Sequence, residues 1–224
     1  DSYLSDLHGR DNRTKARAAV DGQGKVVALD VIVHANMGAW LSNFSIYIPT
    51  LSACRTLTGP YDISVAGMEV RGIVTNTPAV DAFRGAGRPE ANYLLERLMD
   101  HIADVMGMDR VGVRQVNLIK PEQIPYKMVE GGTVDSGDMP GLLAEAMEKA
   151  DWLGFDARRK VSVEQGKWRG IGLSMYLEQC GGGGGAGVDI EFHKDGTATV
   201  YAAQQDNGQA HRTTLTQIFS SRLG

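Results

Sequence analysis

The chain has 224 residues, 42% of them apolar and 22% charged, which suits one sizeable domain or two small ones and excludes both a mini-protein and wholesale disorder. Its 23 basic and 27 acidic residues leave a formal net charge of −4, so the broad electropositive face that a nucleic-acid partner requires is not encoded. Glycine occupies 28 positions while aromatics make up only 7%, a balance that favours contacts made by backbone over contacts made by aromatic bulk.

Thr14 to Val20 and Lys25 to Ala35 flank Asp21-Gly22-Gln23-Gly24; β-branched runs on either side of a glycine-bearing turn predict a hairpin that starts a buried sheet. Short strands are expected near Phe44 to Ile48 and Met68 to Ile73, separated by Gly59-Pro60 and Gly67. From Pro89 the apolar period becomes helical: Leu94, Leu95, Leu98, Ile102, Val105 and Met106 form one stripe, closed by Gly107. Pro89 suits the first helical turn, where its missing N–H costs nothing. A shorter helix is expected over Asp109 to Asn117. Another runs from Asp138 as cap, with Pro140 just inside, to about Leu153, where Gly154 stops it. After Asp156 the pattern returns to β: Gly170 to Glu178, then Val188 to His193 and Thr197 to Ala203 around Lys194-Asp195-Gly196. A last helix over 210–223 gathers Leu215, Ile218, Phe219 and Leu223 on one face. Two β-then-α units, 1–157 and 158–224, make the expected fold class α+β rather than a doubly wound sheet.

Cys54 and Cys180 are too few and too distant for a disulfide framework or for a zinc or iron-sulfur site, which favours a reducing, cytoplasmic setting. No run approaches the roughly 18 apolar residues of a membrane span, and no basic-then-apolar leader opens the chain, so no membrane partner is expected. The chain starts at Asp1 rather than Met, and an internal piece of a longer protein is expected from that.

Three segments can carry chemistry. In Asp81-Ala82-Phe83-Arg84-Gly85-Ala86-Gly87-Arg88-Pro89-Glu90, two glycines and two arginines precede a helix start, where free N–H groups and open backbone make an anion site. The same residues are equally consistent with a tight turn whose arginines are solvated or paired with Glu90. The segment is not a dinucleotide fingerprint, because the third glycine and the strand-helix-strand context are missing. The second, Gln204-Gln205-Asp206-Asn207-Gly208-Gln209-Ala210-His211, offers amide groups and a histidine at a positive helix end; its bland reading is a helix cap by Asn207. The third is Glu178-Gln179-Cys180 followed by Gly181 to Gly185, a run costly to order unless a ligand or partner covers it, or else a loop tip. No partner for Glu178 or for Cys180 is visible in the sequence, and Asp206 with His211 lacks a nucleophile for hydrolysis. Trp40, Trp152, Trp168 and the helix methionines read as packing residues.

Thr75-Asn76-Thr77-Pro78 followed by Ala82-Phe83-Arg84-Gly85-Ala86-Gly87-Arg88-Pro89-Glu90-Ala91 resembles the molybdenum hydroxylases: xanthine dehydrogenases, aldehyde oxidases and the large subunits of carbon monoxide dehydrogenases. The order of the other motifs agrees, from Leu7-His8-Gly9-Arg10-Asp11 and Asn36-Met37-Gly38-Ala39-Trp40, through Val113-Arg114-Gln115-Val116-Asn117-Leu118-Ile119 and Asp135-Ser136-Gly137-Asp138, to Gly208-Gln209-Ala210-His211-Arg212-Thr213. The likeness spans nearly the whole chain. It implies the molybdopterin-binding part of an oxidoreductase that hydroxylates an aldehyde or N-heterocycle with water as oxygen source. The cofactor that the resemblance implies is molybdenum-molybdopterin, as the cytosine dinucleotide, which would carry the redox chemistry while protein supplies position. By the same resemblance Phe83, Arg84, Gly85 and Ala86 lie against the cofactor, Gly208, Gln209, Ala210 and His211 hold its pterin, and the glycine run borders the pocket.

Departures from the family pattern narrow this. Copper-containing carbon monoxide dehydrogenases have a cysteine where Gly85 stands, so a soft thiolate for Cu(I) is missing and copper-dependent CO oxidation is not expected. Xanthine dehydrogenases have a purine-stacking phenylalanine where Ala86 stands. Ala210 replaces a usual glycine and is expected to be tolerated if its φ is negative. The upstream glycine-phenylalanine-glycine loop and the general-base glutamate lie outside the matched stretch, so no residue here is assigned as catalytic or as a metal ligand, and the chain alone is expected to be inactive. The resemblance further implies an iron-sulfur subunit carrying 2Fe-2S and a subunit carrying FAD as partners, with the complete enzyme oligomeric. The competing reading is a noncatalytic binding or assembly domain that keeps the family fold.

Overall fold

Strand β2 (Val26–Gly38) organises the first part of the molecule. It buries Leu29, Val31, Val33, Ala35 and Met37 on one face, as side chains two apart on a strand must. The computed structural model describes residues 2–178 and 187–223 and divides into two compact units, Asp1–Gln179 and Cys180–Gly224. A helical turn, α1 (Ser2–Ser5), precedes β1 (Asn12–Val20), which pairs antiparallel with β2. The turn between β1 and β2 is closed by Asp21, whose Oδ1 accepts the Gln23 and Lys25 amides at 2.8 and 2.9 Å. Strand β3 (Ala66–Val74) pairs parallel on the other side of β2, giving the order β1-β2-β3.

Helices α2 (Arg88–Met106) and α3 (Arg110–Asn117) bury apolar residues in the same core as β2. The buried face of α2 is Ala91, Leu95, Met99, Ile102 and Ala103, each full burial of a Leu or Ile contributing about 1.5–3 kcal/mol. Val105, expected on that stripe, is 71% exposed. The reason is that Glu96 and Asp100 share the buried face, which turns the helix relative to its purely apolar pattern. Both carboxylates receive Arg114 of α3, fully buried, at 2.9 and 3.0 Å. Tyr61 Oη donates to Glu96 at 2.5 Å, and burial, then the Glu96 carboxylate, push its phenol far above the ordinary value, so it remains a donor. Asn117, also buried, accepts the Val26 amide and donates to the Gly24 and Val113 carbonyls, all at 2.8 Å. The Arg114 to Asn117 run is therefore a structural crosslink between α3, α2 and the sheet.

A two-stranded ladder, β4 (Tyr126–Lys127) with β5 (Thr133–Val134), leads to α4 (Met139–Lys149), capped by Asp138 as expected. This helix ends short of the expected Leu153, and α5 (Phe155–Glu164) follows where no helix was expected. Only Ser162 of α5 is buried, so no apolar period announced it. Residues 44–48 form turns rather than a strand and run into one π-helical turn, Ile48–Ser52. Residues 170–178 are not a strand either. Two of their backbone groups bond to buried side chains: Leu173 O accepts from Arg114 at 3.2 Å and Met175 N donates to Glu96 at 2.9 Å.

In the second unit β6 (Val188–Phe192) and β7 (Ala198–Ala202) form an antiparallel hairpin, followed by α6 (His211–Leu223). The α+β expectation holds. Among the described residues no helix is long and apolar enough to cross a membrane.

Removing the Arg114 guanidinium leaves two buried carboxylates without a cation. Arg114→Met is expected to cost about 3–5 kcal/mol of unfolding free energy in urea titration; a loss below about 1 kcal/mol would mean that the cluster is not what holds α2.

Candidate cofactor-binding site

The loop preceding α2 is mounted on a polar scaffold centred on Asn36 of β2. Asn36 Nδ2 donates to Asp11 Oδ2 at 2.7 Å and Thr77 Oγ1 at 2.9 Å, while its Oδ1 accepts from the Gly38 amide and the Thr75 hydroxyl. Ala39 N donates to Thr77 O and Asp81 N to His8 O, both at 2.9 Å. Ser42 donates to Asp81 and Ser52 to the Ala86 carbonyl. The motifs around Asp11, Asn36 and Thr77 thus meet in space because they build one platform for residues 81–87.

On that platform the backbone turns sharply. Gly85, Ala86 and Gly87 have φ of 98°, 38° and 92°, a left-handed run that glycine enters freely and other residues enter at a cost. A Cβ on Gly87 would sit 2.3 Å from Ile48 O, and one on Gly85 would sit 2.6 Å from Pro89 Cγ. Ala86 N donates to Phe83 O at 2.7 Å and Arg88 N to Gly85 O at 3.2 Å. The N–H groups of Phe83, Gly85 and Gly87 have no acceptor among the described residues, at the positive end of a 19-residue helix. Phe83 is 62% exposed.

Arg10 and Arg88 are engaged rather than solvated, while Arg84 is exposed. Arg10 donates to Arg84 O, its guanidinium lies 4.7 Å from the Phe83 ring centroid, and Glu90 is 3.9 Å from its Nε. Arg88 pairs with Glu178 at 2.8 Å rather than with Glu90. Tyr176 Oη donates to the other Glu178 oxygen, and burial, then that hydrogen bond, raise the Tyr176 phenol to about 12. Glu178, without a visible partner in the sequence, has two.

The second loop departs from its expected form. Asp206, not Asn207, is the capping residue: its Oδ1 accepts the Gly208 and Gln209 amides at 2.9 Å and its Oδ2 the His211 amide at 3.1 Å. The amides expected to receive a ligand are already donating to the chain's own carboxylate. Ala210 has φ of 57°, so the condition for tolerating its methyl group, a negative φ, is not met, and the left-handed conformation costs about 1–2 kcal/mol. His211 Nδ1 is buried without a hydrogen-bond partner.

Of the remaining candidates, the run Gly181 to Gly185 and Cys180 lie outside the described residues. Cys54 is half-buried, and burial, then the Glu130 carboxylate, raise its thiol pKa, which disfavours a thiolate. Trp40 and Trp168 are exposed and Trp152 packs on the core. Among the described residues no cluster of His, Cys, Asp and Glu can hold a metal ion. Sequence reasoning did not single out Ser52, and it named Arg10 and Asp206 as motif members without these roles. Only Asp206 carried a local signal, an acid two residues before a glycine in a turn.

Family models described as molybdopterin cofactor-binding domain match residues 1–118 and 145–224, and the chain belongs to that family, the one found in molybdenum hydroxylases. The carbon monoxide dehydrogenase large chain of Hydrogenophaga pseudoflava is 32% identical over 231 residues, covering 96% of this chain. Among solved structures, quinoline 2-oxidoreductase from Pseudomonas putida 86 superposes with a TM-score of 0.83 at 22% identity, covering 99% of this chain and 30% of that one. A Cu,Mo-CO dehydrogenase superposes at 0.79 with 28% identity, covering 96% and 30%. The chain spans about 29% of the length of the carbon monoxide dehydrogenase large chain.

Two consequences are measurable. Gly87→Ala combines a left-handed φ with a backbone clash and is expected to destabilise by about 2–4 kcal/mol, whereas Ala210→Gly is expected to stabilise by about 1 kcal/mol; a neutral Gly87→Ala in urea titration contradicts the loop geometry. The hydrogen bond from Gly208, then those from Gln209 and His211, hold the Asp206 carboxyl below the ordinary 3.8. A folded-state pKa depressed in this way supports the loop above the unfolded value and withdraws that support as pH falls through the folded one. NMR titration of Asp206 is expected to show a midpoint below 3.8, with the Gly208 and His211 amide shifts moving in step; a midpoint above 3.8 contradicts the cap.

Proposed function

We propose that Phe83, Arg84, Gly85 and Ala86, with Gly208, Gln209, Ala210 and His211, contact molybdopterin in an oxidoreductase that hydroxylates an aldehyde or N-heterocycle with water as oxygen source. The observation that carries this is the Phe83–Gly87 loop. Two glycine positions leave no room for a Cβ, and N–H groups without a protein acceptor stand at a helix N-terminus. Such a cradle suits the oxygen-rich periphery of a bound oxometal cofactor. Two-electron redox chemistry is what the molybdenum cofactor would supply when bound; this chain's part would be to hold and orient it. At the second loop the Gly208, Gln209 and His211 amides, which now donate to Asp206, would hold cofactor oxygens only in exchange for those hydrogen bonds.

The same loop argues against copper-dependent CO oxidation. Gly85 holds the position of the copper-binding cysteine, its φ of 98° and the Pro89 ring leave no space for a thiol side chain, and Cys54 is a poor thiolate. Glu178 is engaged by Arg88 and Tyr176, which supports placing the general base on a glutamate outside this chain. We further propose the cytosine dinucleotide form of the cofactor, a cytoplasmic setting, domains at 1–157 and 158–224, and an iron-sulfur and an FAD subunit as partners in an oligomeric enzyme.

The test is metal, pterin and turnover measurement on the assembled enzyme. Stoichiometric molybdenum and pterin, dye reduction by aldehydes or N-heterocycles and none by CO are expected. CO oxidation that tracks bound copper overturns the substrate reading. An assembled complex that takes up neither metal nor pterin favours the noncatalytic assembly domain instead.

A further inference from the structure

We propose that Arg10 and Arg88 are positioning residues that clamp the carbonyl side of the Phe83–Gly87 loop and thereby set the direction in which its amide hydrogens face. The inference rests on the proposed function only in taking the Gly85 amide, which has no acceptor among the described residues, as one that meets the cofactor.

The argument begins with the peptide unit. It is planar and trans, so a carbonyl and the N–H that follows it point in opposite directions. Arg10 donates to Arg84 O, which obliges the Gly85 N–H to face away from the Arg10 guanidinium. Arg88 Nη1 approaches Gly85 O at 3.4 Å, beside the Arg88 amide that bonds the same oxygen at 3.2 Å, and this orients the next peptide, whose Ala86 N–H closes the turn on Phe83 O at 2.7 Å. Glycine alone cannot hold these planes, since its left-handed and right-handed conformations are nearly equal in energy.

Each guanidinium is in turn held in place. Glu90 lies 3.9 Å from Arg10 Nε, and the Phe83 ring lies beneath its guanidinium, a cation–π contact within the favourable range. Glu178 lies 2.8 Å from Arg88 Nε and is itself fixed by the Tyr176 hydroxyl. The segment bearing Tyr176 and Glu178 is anchored in the core through Met175 N to Glu96 and Leu173 O to Arg114. Arg10 also has φ of 63°, a strained conformation for a residue with a Cβ. Strain of this kind persists where the side chain is needed in that place.

This strain separates positioning from stability. Arg10→Gly removes the clamp and relieves the backbone at once, whereas a side chain that merely stabilises the turn is lost at a net cost. Hydrogen exchange is read by NMR on the full chain for Arg10→Gly, Arg10→Met and the conservative, half-exposed Glu178→Gln, beside urea unfolding of each. The Ala86 and Arg88 amides, which close the turns on Phe83 and Gly85, are expected to exchange about tenfold faster in Arg10→Gly and in Glu178→Gln, with Arg10→Gly no less stable globally than Arg10→Met. Unchanged exchange at both amides in both variants, or exchange that rises only with global unfolding, overturns the clamp. Because no cofactor enters this measurement, a loosened loop whose assembled enzyme still takes up pterin normally leaves the clamp intact and counts against the cofactor contact instead.

Discussion

The buried Arg114 guanidinium, shared between Glu96 and Asp100, is the constraint on which the placement of the loop depends. It joins three segments far apart in sequence: α3, the buried face of α2 and the backbone of residues 173–175. Helix α2 begins one residue after Gly87, so fixing its rotation fixes the exit of the loop. The 173–175 segment leads to Glu178, so the same guanidinium fixes the residue that holds Arg88. An ion cluster in the core is a weak source of net stability, because desolvating the charges offsets most of their attraction. What it contributes is a unique arrangement, since each of the three segments has one position in which both carboxylates and the carbonyl at Leu173 are satisfied.

Around this anchor the site is built from backbone rather than from side chains. Gly85 and Gly87 are needed less for flexibility than for the absence of a Cβ, given 2.6 Å to Pro89 and 2.3 Å to Ile48 O. The exposed donors belong to the main chain, and the charged side chains nearby grip carbonyls or carboxylates instead of facing outward. That division suits a protein whose reactive centre is a bound cofactor, where rigid dipoles serve better than titrating groups. The loop at Asp206 follows another logic. Its amides are satisfied internally by a carboxylate, which keeps them ordered and solvated without a guest and makes ligand contact there conditional on displacing that carboxylate.

Much of the fold was legible where one face decides the structure. The β1–β2 hairpin, β3, α2, α3 and the β6–β7 hairpin follow from alternation or from a helical stripe closed by glycine. Legibility failed where side chains took over the backbone's hydrogen bonding. Residues 170–178 carry a strand-like pattern, yet the segment is tied to the core through Arg114 at Leu173 O and Glu96 at Met175 N rather than through a strand neighbour. Phe44 to Ile48 alternate like a strand, but the turn that follows is drawn under the loop by Ser52 and by the close approach of Ile48 O to Gly87. Helix α5 buries almost nothing and so left no apolar period. At the site, the loop was legible from its glycines and arginines, whereas the partners of those arginines were not: Arg10 reaches across 74 residues and Glu178 across 90, distances over which spacing carries no information.

The central claim is that the free amides of the Phe83–Gly87 loop meet the molybdenum cofactor. Its most direct test compares hydrogen exchange at the Phe83 and Gly85 amides in the assembled enzyme with and without bound molybdopterin. Loading is predicted to slow exchange at both amides by about tenfold or more, as each gains an acceptor. Exchange that stays the same while pterin and molybdenum are present in full would contradict the account.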